Sequence, residues 1–185
     1  MCLYKDGKYA GAEDGFSRVV ETRKRVLGAE HPSTLTSINN LALTYSNPGR
    51  WKEAEELDVQ VMETSLRVLG AEHPSTLTSM ANLASTYRNQ GRWKEAEELQ
   101  AQELKLCSKV LGEEHPDTLI SMSNLAWIWK CQGLDKQAIN LISECAQLQE
   151  QILGADHPYT KSSLQTLKNW QAGQNEVELL DSIHL

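Results

Sequence analysis

Apolar and small residues recur along the chain in segments that are separated by short polar turns. Within one segment they stand three and four residues apart, at Leu35, Ile38, Leu41, Ala42 and Tyr45. The same spacing returns further along, at Leu77, Met80, Leu83, Ala84 and Tyr87. These intervals predict amphipathic α-helices. Alternating apolar and polar runs do not persist and β-branched residues are sparse, so the pattern predicts an all-α chain.

Local signals mark where these helices begin and end. Each first helix follows a His-Pro pair, such as His73-Pro74, because a residue before proline leaves the α region and proline fits the first helical position. Glycines such as Gly91 end this helix, and a second helix restarts at once with Trp93. A further glycine, such as Gly112, closes the second helix.

The same signals return at a fixed interval of 42 residues, with His-Pro at 31, 73, 115 and 157. Residues 27–68 and 69–110 are identical at roughly 28 of 42 positions, which indicates duplication. Such self-similarity is typical of solenoid arrays. We expect a partial repeat at 1–27, mainly its second helix, full repeats at 28–69, 70–111 and 112–153, a partial or capping helix at 154–172, and a tail at 173–185 that either forms a short helix or stays loose.

The two ends of the array differ in their polarity. The first repeat keeps only the last turn of its first helix, and Tyr4, Tyr9 and Phe16 offer no polar cap, so we expect a fragment or an edge that associates with a neighbour. At the other end Lys161, Gln165 and Asn169 replace apolar or small residues, as in a cap.

Within the array, Pro48 is expected to shorten the preceding helix, and Leu134-Asp135, in place of Arg-Trp, to loosen a turn.

Composition limits the function classes further. The net charge of -7 argues against non-specific nucleic-acid or anionic-membrane binding. No segment has the length of a membrane span, and the N-terminus lacks a signal-peptide pattern. The four cysteines form no C-x-x-C pair, which suggests reduced thiols in a cytoplasmic protein.

Catalytic and metal-binding patterns have little support. The four histidines of the His-Pro pairs stand one repeat apart, about 10 Å, whereas zinc-nitrogen bonds are about 2.1 Å long, so we interpret them as helix-start residues. The acidic runs at 52–56 and 94–98 suit the start of a helix and a solvated face. Phosphate loops and nucleophile elbows are missing. We therefore expect no catalytic site, no metal and no cofactor.

Motifs in each unit carry a family resemblance. His31-Pro32, then Asn40-Leu41-Ala42, then Gly49-Arg50-Trp51-Lys52-Glu53-Ala54 resemble the tetratricopeptide repeat, in the 42-residue form of the kinesin light chain and nephrocystin-like subgroup. The resemblance implies a right-handed superhelix of antiparallel helix pairs that binds a peptide in a concave groove. It implies a non-catalytic interaction scaffold, a kinesin-light-chain-like adaptor. The alternative is the sensor fragment of an NB-ARC- or NACHT-type nucleotide-binding receptor, and an enzyme is more distant still.

The resemblance also points to binding positions, because the family lines its groove with first helices. The corresponding residues here are Asn39, Leu43, Asn82, Arg88, Asn89, Asn124, Trp127 and Lys130. These positions vary between repeats while core positions do not, which fits either retuning for a partner or drift on a solvated surface. The recurring asparagines Asn40, Asn82 and Asn124 fit either a structural role or a ligand contact.

The same residues suggest what the partner is. Arg88, Lys130 and Trp127 favour a protein or peptide with an acidic residue and an aromatic or aliphatic anchor. Lysines are missing where chaperone-tail clamps use them, which disfavours a carboxylate clamp. We expect neither nucleic acid nor membrane as partner, and self-association through the open N-terminal edge.

Overall fold

Helices form between the glycine and His-Pro signals. The computed structural model describes the backbone of residues 9–46 and 49–183 and the side chains of residues 13–46 and 49–173. In this part of the chain there are eight helices and no strand, which confirms the all-α prediction. The helices are α1 (Tyr9–Leu27), α2 (Pro32–Ser46), α3 (Trp51–Leu69), α4 (Pro74–Asn89), α5 (Trp93–Leu111), α6 (Pro116–Cys131), α7 (Asp135–Leu153) and α8 (Pro158–Ile183).

Each first helix (α2, α4, α6 and α8) begins in the same way. His73 adopts extended backbone angles, and its Nδ1 accepts a 3.1 Å hydrogen bond from the backbone N–H of Ser75. The histidines at 31, 115 and 157 accept the equivalent bond at 3.2 to 3.3 Å. A nitrogen that accepts from the first turn satisfies a helix donor that would otherwise lack a partner. The histidines are therefore N-caps, as predicted.

Glycines and short turns end the helices. Gly70 has φ +88°, and its N–H donates to the carbonyl of Leu66 at the end of α3. Such a positive φ strains any residue with a Cβ. The turn at Leu134 keeps the backbone form of an earlier repeat, since Leu134 (φ -83°, ψ 55°) has nearly the angles of Arg50 (φ -83°, ψ 59°); the expected loosening of this turn stays a prediction.

Two other expectations concern helix length. Helix α2 has 15 residues and α4 has 16, but Asn47 and Pro48 lie outside the described residues, so the effect of Pro48 stays a prediction. Beyond Pro158 the chain forms one continuous helix of 26 residues, so it bends into no separate tail helix after residue 173. The expected open edge rests partly on Tyr4 and Tyr9, whose side chains are also outside the described part.

The chain divides within α5 into two units, residues 1–99 and 100–185. In the first unit, successive helices from α1 to α4 pack against each other and α2 also contacts α4. The core lies between helices of neighbouring repeats and contains Val20 of α1, Leu35, Ile38 and Leu41 of α2, and Val61 of α3. The core of this unit thus joins helices of two successive repeats, as expected of an array.

In the second unit α6 packs on α7 and α7 on α8. One cluster joins Ala126, Ala138, Ile142 and Trp170. The alanines at 126 and 138 are fully buried, which allows the facing helices to approach closely. A second cluster joins Leu119, Met122 and Cys145.

Candidate functional site on the first helices

The predicted binding positions lie on surface-facing parts of the first helices. Leu43 of α2 and Trp127 of α6 are 45% and 42% exposed, although their neighbours Ala42 and Ala126 are buried. Asn39, Asn82, Arg88, Asn124 and Lys130 are half-buried, and Asn89 is exposed. Helices α2, α4 and α6 thus each bury one apolar face and leave part of the variable side chains accessible, although Oδ1 of Asn39 is buried.

In the first unit a shallow depression lies between α2 and α4. Its cavity volume is about 290 Å³, and it is lined by Leu43, Ser46, Trp51, Asn82, Ser85, Thr86 and Asn89. Three predicted residues, Leu43, Asn82 and Asn89, therefore meet here. One aliphatic side chain and one indole stand among amides and hydroxyls, a combination that offers hydrogen-bonding groups beside a small apolar contact.

The second unit has a smaller depression between α6, α7 and α8. It measures about 160 Å³ and is lined by Ile120, Ser123, Asn124, Trp127, Ile142, Gln149, Tyr159, Ser162, Ser163 and Thr166. Two predicted residues, Asn124 and Trp127, meet there. The exposed side chains of Ile120, Trp127 and Tyr159 make this depression the more apolar of the two.

Contact with a buried aromatic residue positions Trp127. Its ring packs edge-on against Trp170 of α8, with centroids 4.9 Å apart and planes at 81°. Edge-to-face packing is favourable for aromatic pairs. The indole is therefore held on one side and open on the other.

The two predicted basic residues lie outside both depressions. The ammonium of Lys130 lies 2.7 Å from Oδ1 of Asp135 and 5.9 Å from the Trp170 ring centroid. The Arg88 guanidinium donates to the hydroxyl of Ser85 at 3.3 Å. The Lys130 charge is thus partly compensated within the chain.

Several lining residues were not predicted from the sequence, among them Trp51, Tyr159 and Gln149. Trp51 begins α3 and enters the sequence analysis only as part of the repeat motif, yet it lines the depression of the first unit. Tyr159 stands where the other repeats have Ser33, Ser75 and Asp117, and this change from a small residue was the available signal. Gln149 is buried, and its Oε1 has no hydrogen-bond partner; nothing in the helical pattern marks it.

Charge is distributed unevenly between the two helix types. Helix α2 contains no charged residue, and α4 contains only Arg88. Helices α3 and α5 each begin with Trp-Lys-Glu-Ala-Glu-Glu. In the first unit the predicted binding face is therefore nearly neutral, while the acidic excess lies on second helices.

Part of that acidic charge pairs with arginines. Arg92 contacts Glu55 and Glu95, and its guanidinium lies 4.1 Å from the Tyr87 ring centroid. Its hydrogen bonds hold the pKa of Glu95 below the usual value. Arg92 and Glu55 also line a cleft of about 730 Å³, and their ion pair joins two successive repeats.

Two buried cysteines, Cys107 and Cys145, have thiols with a raised pKa. The Cys107 thiol donates to Oε1 of Glu103 at 2.9 Å, and burial together with this carboxyl raises the pKa of Cys107 to about 12. Burial also raises the pKa of Cys145. A protonated thiol is a weak nucleophile. Among the described residues no three His, Cys, Asp or Glu side chains are placed to hold a metal ion.

None of the helices, within the part of the chain that the structure describes, combines the length and apolar character needed to cross a membrane.

Comparison with known proteins identifies the repeat. The tetratricopeptide repeat model matches residues 2–33, 34–75, 76–117 and 118–159. Two crystal structures of kinesin light chain-like repeat proteins from Podospora anserina are 33% and 32% identical. Both align over 98% of this chain, and over 88% and 87% of their own, with TM-scores of 0.79. No curated protein matches the chain significantly.

A more distant structure, BtubC (BKLC) from P. vanneervenii, is 18% identical over 94% of this chain and 77% of its own, with a TM-score of 0.64, and it shares the fold. The family match, the packed helix pairs and the related structures all indicate tetratricopeptide repeats. The chain belongs to the tetratricopeptide repeat family, with kinesin light chain-like repeat proteins among its relatives.

Proposed function

We propose that the chain is a non-catalytic, cytoplasmic protein-protein interaction scaffold, similar to a kinesin light chain adaptor. It binds an extended peptide or a partner segment along the exposed, concave face of its first helices. The observation that carries this proposal is the pair of depressions on these helices, each with an exposed apolar side chain, Leu43 or Trp127, among amide and hydroxyl groups.

The chemistry of the depressions favours an extended ligand. A peptide backbone offers N–H and C=O groups at regular intervals, and Asn82, Asn89 and Asn124 are able to bond both kinds of group. Trp127 is a candidate anchor because partly buried aromatic side chains often dominate binding energy. The recurring asparagines at 82 and 124 therefore act as ligand contacts in this proposal.

The acidic feature of the partner rests on two basic residues. Arg88 and Lys130 are the basic residues of the predicted face, and Lys130 already has Asp135 as a partner. A ligand carboxylate near Lys130 would compete with Asp135. The ligand that we favour is therefore a neutral or mildly acidic segment with one aromatic or aliphatic anchor. Self-association through the N-terminal edge also remains a proposal.

A peptide array tests this function directly. The purified chain, a Leu43→Ala/Trp127→Ala variant and a Leu66→Ala control are compared on one array of random peptides. Leu66 is also a large exposed side chain, 48% accessible, but it lies outside both depressions. We expect discrete peptides to bind the wild type and the control and to lose binding to the double variant. Equal binding by all three proteins would refute the proposal.

A further inference from the structure

One polar side chain of the second unit is buried beside the depression between α6, α7 and α8 without a full set of hydrogen bonds. Gln149 of α7 is 2% exposed, and its Oε1 has no hydrogen-bond partner. The residue nevertheless lines the depression. A buried acceptor that lacks a donor costs folding free energy, so packing alone does not explain a glutamine at this position.

The residues at the same register of the other second helices do not share this arrangement. In α1 the guanidinium of Arg23 donates to the hydroxyl of Ser37 at 2.7 Å. In α5 the thiol of Cys107 donates to a carboxylate oxygen of its own helix at 2.9 Å. In α3 the hydroxyl of Ser65 is buried and also lacks a partner, but Ser65 does not line the depression of the first unit. Gln149 thus combines an unpaired acceptor with a place in the wall of an open depression.

The size and the lining of the depression restrict what enters it. Its volume of about 160 Å³ is several times the ~30 Å³ that a water molecule takes in the liquid, but it is smaller than the ~300 Å³ at which small-molecule pockets begin. It therefore suits one side chain of a bound peptide. None of the described residues that line it is charged, so a charged group would enter it without an ionic partner, at a cost in free energy.

The amide of Gln149 discriminates among uncharged side chains through its hydrogen-bonding groups. An aliphatic side chain would leave Oε1 unpaired, and an indole or a phenol group brings one polar atom, which pairs with one end of the amide. A primary amide carries a donor and an acceptor on separate atoms, so it is able to exchange two hydrogen bonds with Gln149. The last torsion of a glutamine side chain is broad, so its oxygen turns towards a ligand at little cost.

We propose that the depression of the second unit is a subsite for a primary amide side chain, glutamine or asparagine, of the bound peptide, and that Gln149 recognises it. This inference rests on the proposed function, because it names a side chain of the peptide that the first helices bind. The methylene groups of the ligand side chain pack against Ile120 and Trp127, which line the depression and are exposed. Gln149 is then a residue that determines specificity.

An array of random peptides tests this subsite with the full-length chain, a Gln149→Met variant and a Gln151→Met control. Methionine is unbranched like glutamine but lacks the amide. Gln151 is an exposed glutamine of the same helix and does not line the depression. We expect the peptides that bind the wild type and the control to be enriched in glutamine or asparagine at one position. Gln149→Met should lose this enrichment.

Isothermal titration then measures the contact between the two amides. The probe is the strongest amide-bearing peptide from the array, either unchanged or with that glutamine or asparagine replaced by methionine. The replacement should raise the dissociation constant of the wild type about tenfold, because two hydrogen bonds are lost. For Gln149→Met it should raise the dissociation constant less than about twofold, since the contact is already absent. Gln149→Met should also unfold at a higher urea concentration than the wild type, because the unpaired acceptor is gone.

The possible outcomes separate this subsite from the proposed function. Circular dichroism checks that each variant is folded, and the amide preference of the wild type needs no variant. Peptides that bind without an amide preference, or that prefer an indole or phenol side chain at that position, would overturn the subsite and leave the proposed function standing. An amide preference that Gln149→Met retains would do the same. Absence of any binding peptide would overturn both.

Discussion

The Thr86 hydroxyl on α4 donates a 2.6 Å hydrogen bond to Oδ2 of Asp58, a carboxyl group of α3 that is 3% exposed. The contact joins the second helix of one repeat to the first helix of the next. Burial raises the pKa of Asp58 to about 6 from 3.8, and the hydrogen bond from Thr86 partly opposes the rise. The contact between these repeats is therefore sensitive to pH.

Replacing Asp58 with asparagine should stabilise the chain at neutral pH. Because the native pKa lies above the unfolded value, the folded state binds more protons between about pH 4 and pH 6, and stability falls as pH rises through this window. This rise in the pKa of Asp58 corresponds to a loss of unfolding free energy of about 3 kcal/mol at most. In urea titrations, the free energy of unfolding of Asp58→Asn relative to that of the wild type should increase from pH 4 to pH 7.5. Glu56→Gln, on the exposed side of α3, is the control and should show no such gain. A pH-independent difference for Asp58→Asn would contradict this account.

The histidine caps give a second prediction. His73→Ala should destabilise the chain by about 1 kcal/mol, because the N–H of Ser75 loses its acceptor. His73→Asn should restore most of the loss, since asparagine is a good N-cap. Urea titration measures both variants, and EDTA should change neither. Failure of asparagine to restore stability, together with an effect of EDTA, would indicate a metal ligand instead.

Arg92 should stabilise the contact between repeats in a salt-dependent way. It bonds Glu55 and Glu95 and lies over Tyr87, and lysine cannot reproduce this planar geometry. Arg92→Lys should lower the urea midpoint at low salt, and the difference from wild type should shrink at high salt because the pairs are partly exposed. Arg18→Lys on α1, at an exposed position, should have little effect. A difference that does not depend on salt would mean that the ion pairs contribute nothing.

Thiol accessibility provides a fourth prediction. Cys107 and Cys145 are buried and Cys131 is exposed. In a Cys2→Ser background, Ellman's reagent should modify one thiol in the folded chain and three in denaturant. Mass spectrometry should locate the fast-reacting thiol at Cys131. Rapid modification of Cys107 in the folded chain would contradict its placement and its raised pKa.

The helices could be predicted from the sequence because their signals are local and are repeated. The backbone preferences of His73-Pro74 and Gly91 determine where a helix starts and ends. Because the repeat recurs every 42 residues, the sequence shows each of these helix boundaries several times. The angles at Leu134 show the limit of this reasoning, because the turn keeps its form without the arginine and tryptophan of the other repeats. Backbone geometry there depends on Gly133 and the flanking helices more than on the replaced side chains.

The buried polar groups could not be predicted in the same way. Asp58 and Glu103 belong to acidic helices whose spacing suggests a solvated surface, yet each is buried against a hydroxyl group, of Thr86 and Ser121 respectively. Their burial depends on which residue of the next repeat faces them, and helical periodicity contains no such information. The same holds for Gln149 beneath the depression of the second unit.

Isothermal titration tests the central claim most directly, with the strongest peptide from the array as ligand. The account predicts that Trp127→Ala or Leu43→Ala weakens binding by about tenfold or more, since interface anchors often contribute over 1.4 kcal/mol, while Leu66→Ala leaves the dissociation constant unchanged. An unchanged dissociation constant for both Leu43→Ala and Trp127→Ala, with loss of binding in Leu66→Ala, would contradict it and place the site on the second helices.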